Sequence, residues 1–595
     1  MGRVRIRAIA AGALLLPALL APAVHAVGPH DWAARLPGCH PTAPAVAHAA
    51  GQATLAAQPG NGPVPCGVLT GWPSVETRVE VTDHAVIQEP ALLSDGPILQ
   101  GSGHVPGYGT DGGTLAVTPN AGRTWTSTKV VVPPTVFLWN SGVDNNLYVD
   151  HETNRLFYYE MNGQIYGGPA KCESQVASPA IVGFSDDDGK TFNVGFDYDH
   201  QCSENPTVLT GAPTLAATSR AYPNVVYLCG DNTSTGVGGT ANPGFSCSKS
   251  INGGASWLGT TSGGQGFYSG PLKDTLHPYK QCADQSTLPL MLNDVTSSAG
   301  ANVQPLPNGD LLVEVTCGGT TFLSESKDEG ATWNIVHSLP HGGTLRTDSA
   351  GNLYLVEKSS DAKKLLFSRS TDGGSTWTPE VNMVAPGVTS VGTFNVAQGT
   401  NAPKLVGHIG VTYYGIRGTN TVSDGFITAT RDALDPSPTF WSGQLNDPKH
   451  PLLYNVQTDG NIGVTVLDFN GGAWAPDGSS IWGSFVQDCG TNIVTDPACT
   501  SRLPQINPAD PDDGFVGQLV WPADLSPKAA AAPPATHAGS QGGSATAATH
   551  VVAPHGPLAA TGLGRRLPIA ALLLVVLGVV SAAVGVARRR RPRRG

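Results

Sequence analysis

The chain has 595 residues, enough for several ordinary domains or one very large one. Only 13% of residues are charged, whereas Gly (74) and Pro (48) are abundant, which argues against a helical protein because both weaken helix interiors. Three of the 34 basic residues precede Ala26 and eight follow Gly564, leaving 23 against 45 acidic residues in the body; a net charge of about −22 argues against a polyanionic partner such as nucleic acid.

The first element is a leader. Residues 1–26 place Arg3, Arg5 and Arg7 before an apolar run, with small residues ahead of a cut after Ala26, the form of a secretory signal peptide. Pro17 and Pro22 interrupt that run, which speaks against an anchor helix. A Pro/Ala/Gly-rich segment occupies 27–76. The ten cysteines, at 39, 66, 172, 202, 229, 247, 282, 317, 489 and 499, all lie in the exported body and read as disulfides. Pairing in chain order (39–66, 172–202, 229–247, 282–317, 489–499) is the expectation that closes local loops. No CxxC spacing supports zinc instead.

From residue 77 to 525 the chain alternates between apolar strand pairs and one recurring polar octapeptide. The pairs include "NNLYVDHETNRLFYYE", "PTLAATSRAYPNVVYLCG", "ANVQPLPNGDLLVEVT" and "TLRTDSAGNLYLVEK", each bent at Gly, Asn or Pro. The octapeptide is S/T-x-D/N-x-G-x-T/S-W/F. It occurs with Asn120, Gly122 and Trp125; with Asp187, Gly189 and Phe192; with Asn252, Gly254 and Trp257; with Asp328, Gly330 and Trp333; and with Asp372, Gly374 and Trp377. A worn sixth copy, "TATRDALDPSPTFW", ends at Trp441. Its physics is that of a hairpin staple. The Asp or Asn accepts backbone N–H groups, the Gly supplies positive φ, the hydroxyls tie the turn, and the aromatic packs inward. These residues are therefore expected to be structural.

The aromatics recur at a mean spacing of about 63 residues, which suits a four-stranded blade, and residues 77–522 hold close to seven such units. The expected fold is all-β, a β-propeller of four-stranded antiparallel blades, seven favoured and six the alternative. The ring should close with an N-terminal strand such as "TRVEV" (77–81) added to the last blade. The octapeptides are similar to Asp boxes, the bacterial neuraminidase (BNR) repeats, so the chain resembles sialidase-like propellers. That resemblance implies boxes on the rim, away from the ligand face.

It also implies an exo-glycosidase with a three-arginine clamp for a carboxylate, a Tyr nucleophile polarised by Glu, and an Asp acid/base. This chain departs from it. Where the family's first arginine should stand, "VIQEPALLSDGP" has Glu89 and no arginine. Arg346 and Arg417 are the candidates for an interior position, with Arg78 a third; Tyr413 and Tyr414, shortly before Arg417, are the candidate nucleophiles. Glu89, Asp144 and Glu204 stand near inner strand starts and are candidate ligand-binding acids. No metal-ligand spacing occurs and no cofactor is expected; a structural Ca²⁺ on oxygen-rich stretches such as "NPADPDDG" (507–514) is the alternative.

Beyond the body, residues 526–557 lack large apolar residues and read as a disordered, wall-spanning linker. Leu558, Ala559, Ala560, Thr561 and Gly562 then precede an apolar run at 567–587, long enough for a transmembrane helix, and a basic tail at 588–595. Pentapeptide, helix and tail resemble an actinobacterial LAxTG sortase sorting signal. This implies cleavage between Thr561 and Gly562 and attachment of Thr561 to peptidoglycan; a permanent single-pass anchor is the alternative. The expected product is a monomeric head at the cell surface that binds extracellular glycans or proteins, with a divergent exo-α-sialidase as the competing reading.

Overall fold

The computed structural model describes residues 36, 45–49, 62–70, 76–91, 114–130, 146–160, 180–197, 203–215, 221–232, 244–257, 303–317, 320–330, 333–418, 422–453, 470–487 and 513–521. The leader, the linker, the sorting pentapeptide, the apolar run at 567–587, the basic tail and Asp144 lie outside the described residues. Two strands come first, β1 (Val46–His48) and β2 (Val64–Leu69). The strands as a whole form seven antiparallel sheets.

Blade 1 comprises β3 (Glu76–Val81), β4 (Val86–Ala91), β5 (Thr114–Thr118) and β6 (Thr126–Lys129); blade 2 comprises β7 (Asn146–Asp150), β8 (Arg155–Glu160), β9 (Ala180–Ser185) and β10 (Asn193–Asp197). Blade 3 has β11 (Ser203–Gly211), β12 (Val225–Asn232) and β13 (Gly244–Ser250). Blade 4 has β14 (Gln304–Pro305), β15 (Leu311–Cys317), β16 (Thr320–Ser326) and β17 (Asn334–Ser338). Blade 5 has β18 (Thr344–Thr347), β19 (Leu353–Lys358), β20 (Leu365–Ser370) and β21 (Val381–Asn382). Blade 6 runs β22 (Val388–Val396), β23 (Ile409–Arg417), β24 (Asp424–Thr430) and β25 (Phe440–Gln444), with β1 added outside β25. Blade 7 runs β26 (Gly471–Trp474), β27 (Ser480–Gln487) and β28 (Asp513–Val520), with β2 as its outer strand. The fold is therefore the seven-bladed propeller expected. The inner strands β3, β7, β11, β14, β18, β22 and β26 surround the axis, and β26 against β3 closes the ring.

The closing strand differs from expectation. "TRVEV" is the innermost strand of blade 1, and "VPCGVL", β2, completes blade 7 by pairing from Val64–Val520 to Leu69–Phe515. Thr77 to Val81 are all buried, as an inner strand must be. Pro65, which cannot donate to a ladder, is tolerated on an outermost strand.

Each octapeptide begins at the end of a blade's third strand and turns the chain back. In blade 5, Ser370 Oγ donates to Asp372 Oδ1 at 2.8 Å, and Thr376 N and Oγ1 donate to the two carboxylate oxygens at 2.9 and 2.7 Å. Gly374 N donates to Ser370 Oγ at 2.9 Å. The same set recurs around Asp187, and Asn120 and Asn252 substitute an amide for the carboxylate. In the worn copy Thr430 and Thr439 bond Asp432, so the aromatic position falls on Phe440, one residue before the expected Trp441. Phe440 is fully buried and meets Phe367 of blade 5 edge-on at 5.7 Å.

The residue before the octapeptide Gly has positive φ in the five regular copies: Ala121 (51°), Asp188 (59°), Gly253 (71°), Glu329 (57°) and Gly373 (72°). In two copies that residue bonds the neighbouring blade. Asp188 accepts from Thr82 Oγ1 at 2.8 Å, and Glu329 Oε1 accepts from Thr214 N and Leu215 N at 3.2 and 3.0 Å. Lys249 lies 3.0 Å from the other Glu329 oxygen. Aromatics and aliphatics pack between sheets as several interblade cores. The Cys229–Cys247 disulfide joins β12 to β13, as the chain-order pairing expected.

Candidate functional site

Alternating antiparallel strands put the first-to-second turns on the same face as the third-to-fourth turns, which carry the octapeptide staples. The inner strands leave a polar well on the axis, a cavity of about 50 Å³, room for a few water molecules. Arg78 of β3, Asn146 and Tyr148 of β7, Gln304 of β14, Arg346 of β18 and Asn395 of β22 line it. Polar side chains reach the axis because inner strands carry them at alternate positions among apolar residues that face the sheets.

The staple end of the well is closed by the first-to-second connection of blade 6. Gln398 N donates to Gly472 O at 2.8 Å, and its Nε2 donates to Leu147 O at 3.2 Å on blade 2. Thr400 Oγ1 donates to Thr347 O at 2.8 Å on blade 5, and Asn401 Nδ2 to the Tyr148 hydroxyl at 3.2 Å. Gly399, with φ +83°, lets this stopper turn: a Cβ there would come 3.2 Å from His151 Nε2 and 3.3 Å from Trp474 O. His151 sits beneath with both buried ring nitrogens lacking a hydrogen-bond partner, and burial lowers its pKa to about 4. The well is thus blind at one end.

Its chemistry is cationic and amide-rich. Arg346 donates Nε and Nη2 to Val396 O at 3.2 and 2.9 Å and Nη1 to Leu345 O at 3.0 Å, which leaves two N–H groups uncommitted. Burial lowers its pKa to about 10, with Glu80 opposing, so it stays charged at neutral pH. Glu80 is 1% exposed, and burial pushes its carboxyl well above the usual range; its Oε1 has no hydrogen-bond partner. The Oδ1 atoms of the buried Asn146 and Asn395 also lack partners, leaving acceptors for a hydroxyl or N–H donor. Tyr148 OH is 3.0 Å from Thr210 Oγ1, and burial with Asp150 nearby pushes it up to about 12, against phenolate formation.

The expected site residues divide sharply. Arg346 and Arg78 meet at the well. Arg417 is exposed at the outer end of β23, its guanidinium 4.9 Å from the Phe426 ring centroid. Tyr413 and Tyr414 are core residues: Tyr413 stacks on Phe426 at 5.5 Å, and its hydroxyl accepts from Ala385 N at 2.8 Å. Tyr414 donates to Val486 O at 3.1 Å and packs edge-on against Phe485 at 5.2 Å. Glu89 lies on β4, a second strand, in register with Arg78, and Glu204 is the second residue of inner strand β11, opposite Asp231. Asn146, Tyr148, Asn395 and the stopper escape sequence reading because they are single polar residues in unrelated repeats. The available signal is a polar residue at an inward position of an otherwise apolar first strand.

Among the described residues no group of three or more His, Cys, Asp and Glu side chains could hold a metal ion. No protein-family model matches the chain, and no curated protein matches it. Solved structures similar to it include a protein of unknown function from Dyadobacter fermentans, 13% identical at TM-score 0.35, covering 77% of this chain and 98% of that one. Trypanosoma rangeli sialidase bound to the inhibitor DANA is 14% identical at TM-score 0.29, covering 66% of this chain and 56% of its own. The polysaccharide lyase Uly1 is 9% identical at TM-score 0.32, covering 62% and 77%. Sialidases and polysaccharide lyases therefore stand among the structural neighbours, and at TM-scores below 0.5 these likenesses carry no weight for activity.

Proposed function

We propose that the protein is a secreted, surface-displayed propeller that binds an extracellular glycan through the open end of its axial well, without turning it over. The observation that carries this reading is the well itself. Guanidinium, amide and hydroxyl groups from several blades converge on a cavity stoppered at the staple face. Two guanidiniums beside a buried carboxyl whose pKa is raised favour a ligand with acidic groups, and the unsatisfied amide oxygens favour one that also donates hydroxyl hydrogens. Among the described residues no pair of ionised carboxylates faces the well to act as acid and base.

The test is a glycan array followed by calorimetric titration of the exported protein. Saturable binding to acidic glycans is expected, weakened at least about tenfold by Arg346→Gln. Absence of any glycan ligand, or binding unchanged in both Arg346→Gln and Arg78→Gln, would refute the reading. The convergence of Arg78 and Arg346 also favours a second reading, an exo-acting glycoside hydrolase. Turnover of a fluorogenic sialoside that disappears in Arg346→Gln would replace binding by hydrolysis. Display is proposed through the LAATG sorting signal: the wild-type protein should leave cells on muramidase digestion, and Thr561→Ala should move it to the detergent-soluble membrane fraction.

A further inference from the structure

We propose that the crossover between blades 4 and 5, the turn Leu339–Gly343, is a latch closed by proton binding at Glu314 and His341. The turn is built around these two side chains. Glu314 of β15, 9% exposed, accepts the Gly343 N–H with both oxygens, at 3.2 and 3.1 Å. His341 Nδ1 lies 2.7 Å from Gly342 O and 3.1 Å from Glu357 Oε2 on β19. Its Nε2 faces Ser368 Oγ of β20 at 3.2 Å and Glu380 Oε1, beyond the blade-5 staple, at 3.9 Å. Among the described residues these are the titratable and charged groups that face the pair from the elements packed on it.

The backbone leaves the cluster little room to rearrange. A Cβ on Gly342 would come 2.9 Å from Glu314 Oε1, and one on Gly343, at φ 151°, would come 2.5 Å from Val356 O. With both groups protonated, an imidazolium faces Glu357 and Glu380 while Glu314 is neutral. With both protons gone, three carboxylates surround a neutral imidazole and one of them is buried. The buried charge and the like-charge repulsion then act to loosen the turn.

Burial pushes the Glu314 carboxyl up to about 8 and outweighs the Gly343 N–H and His341, which both favour the ionised form, with Glu357 adding to the rise. Against the opposing effect of burial, the surrounding carboxylates and the Gly342 carbonyl hold His341 above its ordinary value of 6.5. Both folded values are raised, so the stabilisation is complete below the unfolded values. It declines above about pH 4.5 for Glu314 and above about pH 6.5 for His341, and is lost as the folded values are passed. Arg346 of the well lies three residues beyond Gly343, so the latch stands at the root of the strand that presents it.

The experiment compares melting temperature and amide exchange of the wild-type protein at about pH 5.5 and about pH 8.5 with those of Glu314→Gln. The wild type should melt a few degrees lower at the higher pH, and the Gly343 amide should exchange about tenfold faster after correction for its intrinsic rate. Glu314→Gln, which mimics the protonated acid, should reduce both differences, leaving the share that belongs to His341, and melt above the wild type at about pH 8.5. If that variant does not fold, His341→Asn and Glu357→Gln supply the same comparison, each predicted to reduce the pH slope. Equal slopes in the wild type and the variants, or pH-independent exchange at Gly343, would overturn the proposal.

Discussion

The octapeptide reads as a turn staple, but its fourth position, free in the sequence pattern, carries the contact between blades where it is acidic. Glu329 is 2% exposed, bonds two backbone N–H groups of blade 3 and faces the Lys249 ammonium. Glu329→Ala should cost about 3–5 kcal/mol in chemical denaturation, because a buried ammonium loses its counter-charge and two amides lose their acceptor. Glu329→Gln keeps the acceptor and should cost less; equal costs would argue against the charge as the source. Gly195 is a second position that sequence conceals. It reads as an ordinary strand glycine, yet a Cβ there would stand 1.9 Å from Gly254 O of the blade-3 staple. Gly195→Ala must push two blades apart, so a loss above about 2 kcal/mol is expected from the same measurement, as for an overpacked core. The hydrogen bonds within a staple are legible because they join residues two to four apart. Contacts from a staple to its neighbour join residues roughly a hundred apart in sequence (Thr82 to Asp188, Thr214 to Glu329), and no local pattern announces them.

At the level of elements, blade number and strand order were legible because the aromatic spacing measures a whole blade. The identity of the closing strand was not. "TRVEV" alternates cleanly and looks like a strand in search of a sheet, whereas "VPCGVL" contains Pro65 and Gly67 and looks like a bend. An outermost strand pairs on one side only, so it can carry both. Gly67 is also required by proximity: a Cβ there would stand 2.8 Å from Leu445 O of blade 6. The strap continues to blade 6 through β1, where the buried His48 donates to or accepts from Ser442 Oγ at 2.8 Å and stacks on Phe440 at 5.8 Å. Truncation of the exported chain to residue 62 should therefore remove one short edge strand and lower the melting temperature modestly. Truncation to residue 71 strips blade 7 of its outer strand and should abolish cooperative melting. Similar melting for the two truncations would show that β2 does not close the ring.

For the whole molecule, opposing sets of buried titratable groups define a pH window for the fold. His48 on β1 and His408 just before β23 both belong to blade 6, and His151 follows β7 of blade 2; in each, burial is the largest influence, lowering the pKa from 6.5 to about 4. The sign comes from the folded value lying below the unfolded one. Their stabilisation is present above about pH 6.5 and is lost as pH falls towards about 4, at most about 3 kcal/mol for each histidine. Glu314 and His341 act in the opposite sense, since their folded values are raised and stability drains away as pH rises. The melting temperature should therefore pass through a maximum between about pH 5.5 and 7.5, with an acid limb owned by histidines and an alkaline limb owned by the blade 4–5 crossover. The two limbs are separable by mutation. His151 has no hydrogen-bond partner on either ring nitrogen, so His151→Phe removes a buried proton acceptor without breaking a bond and should shallow the acid limb alone. Glu314→Gln should shallow the alkaline limb alone, because the turn it holds enters β18 at Thr344 and the stopper meets that strand at its other end, Thr347. A profile in which either substitution moves both limbs would mean that protonation is shared across the ring, and that the stopper under the well and the crossover beside it respond as one unit.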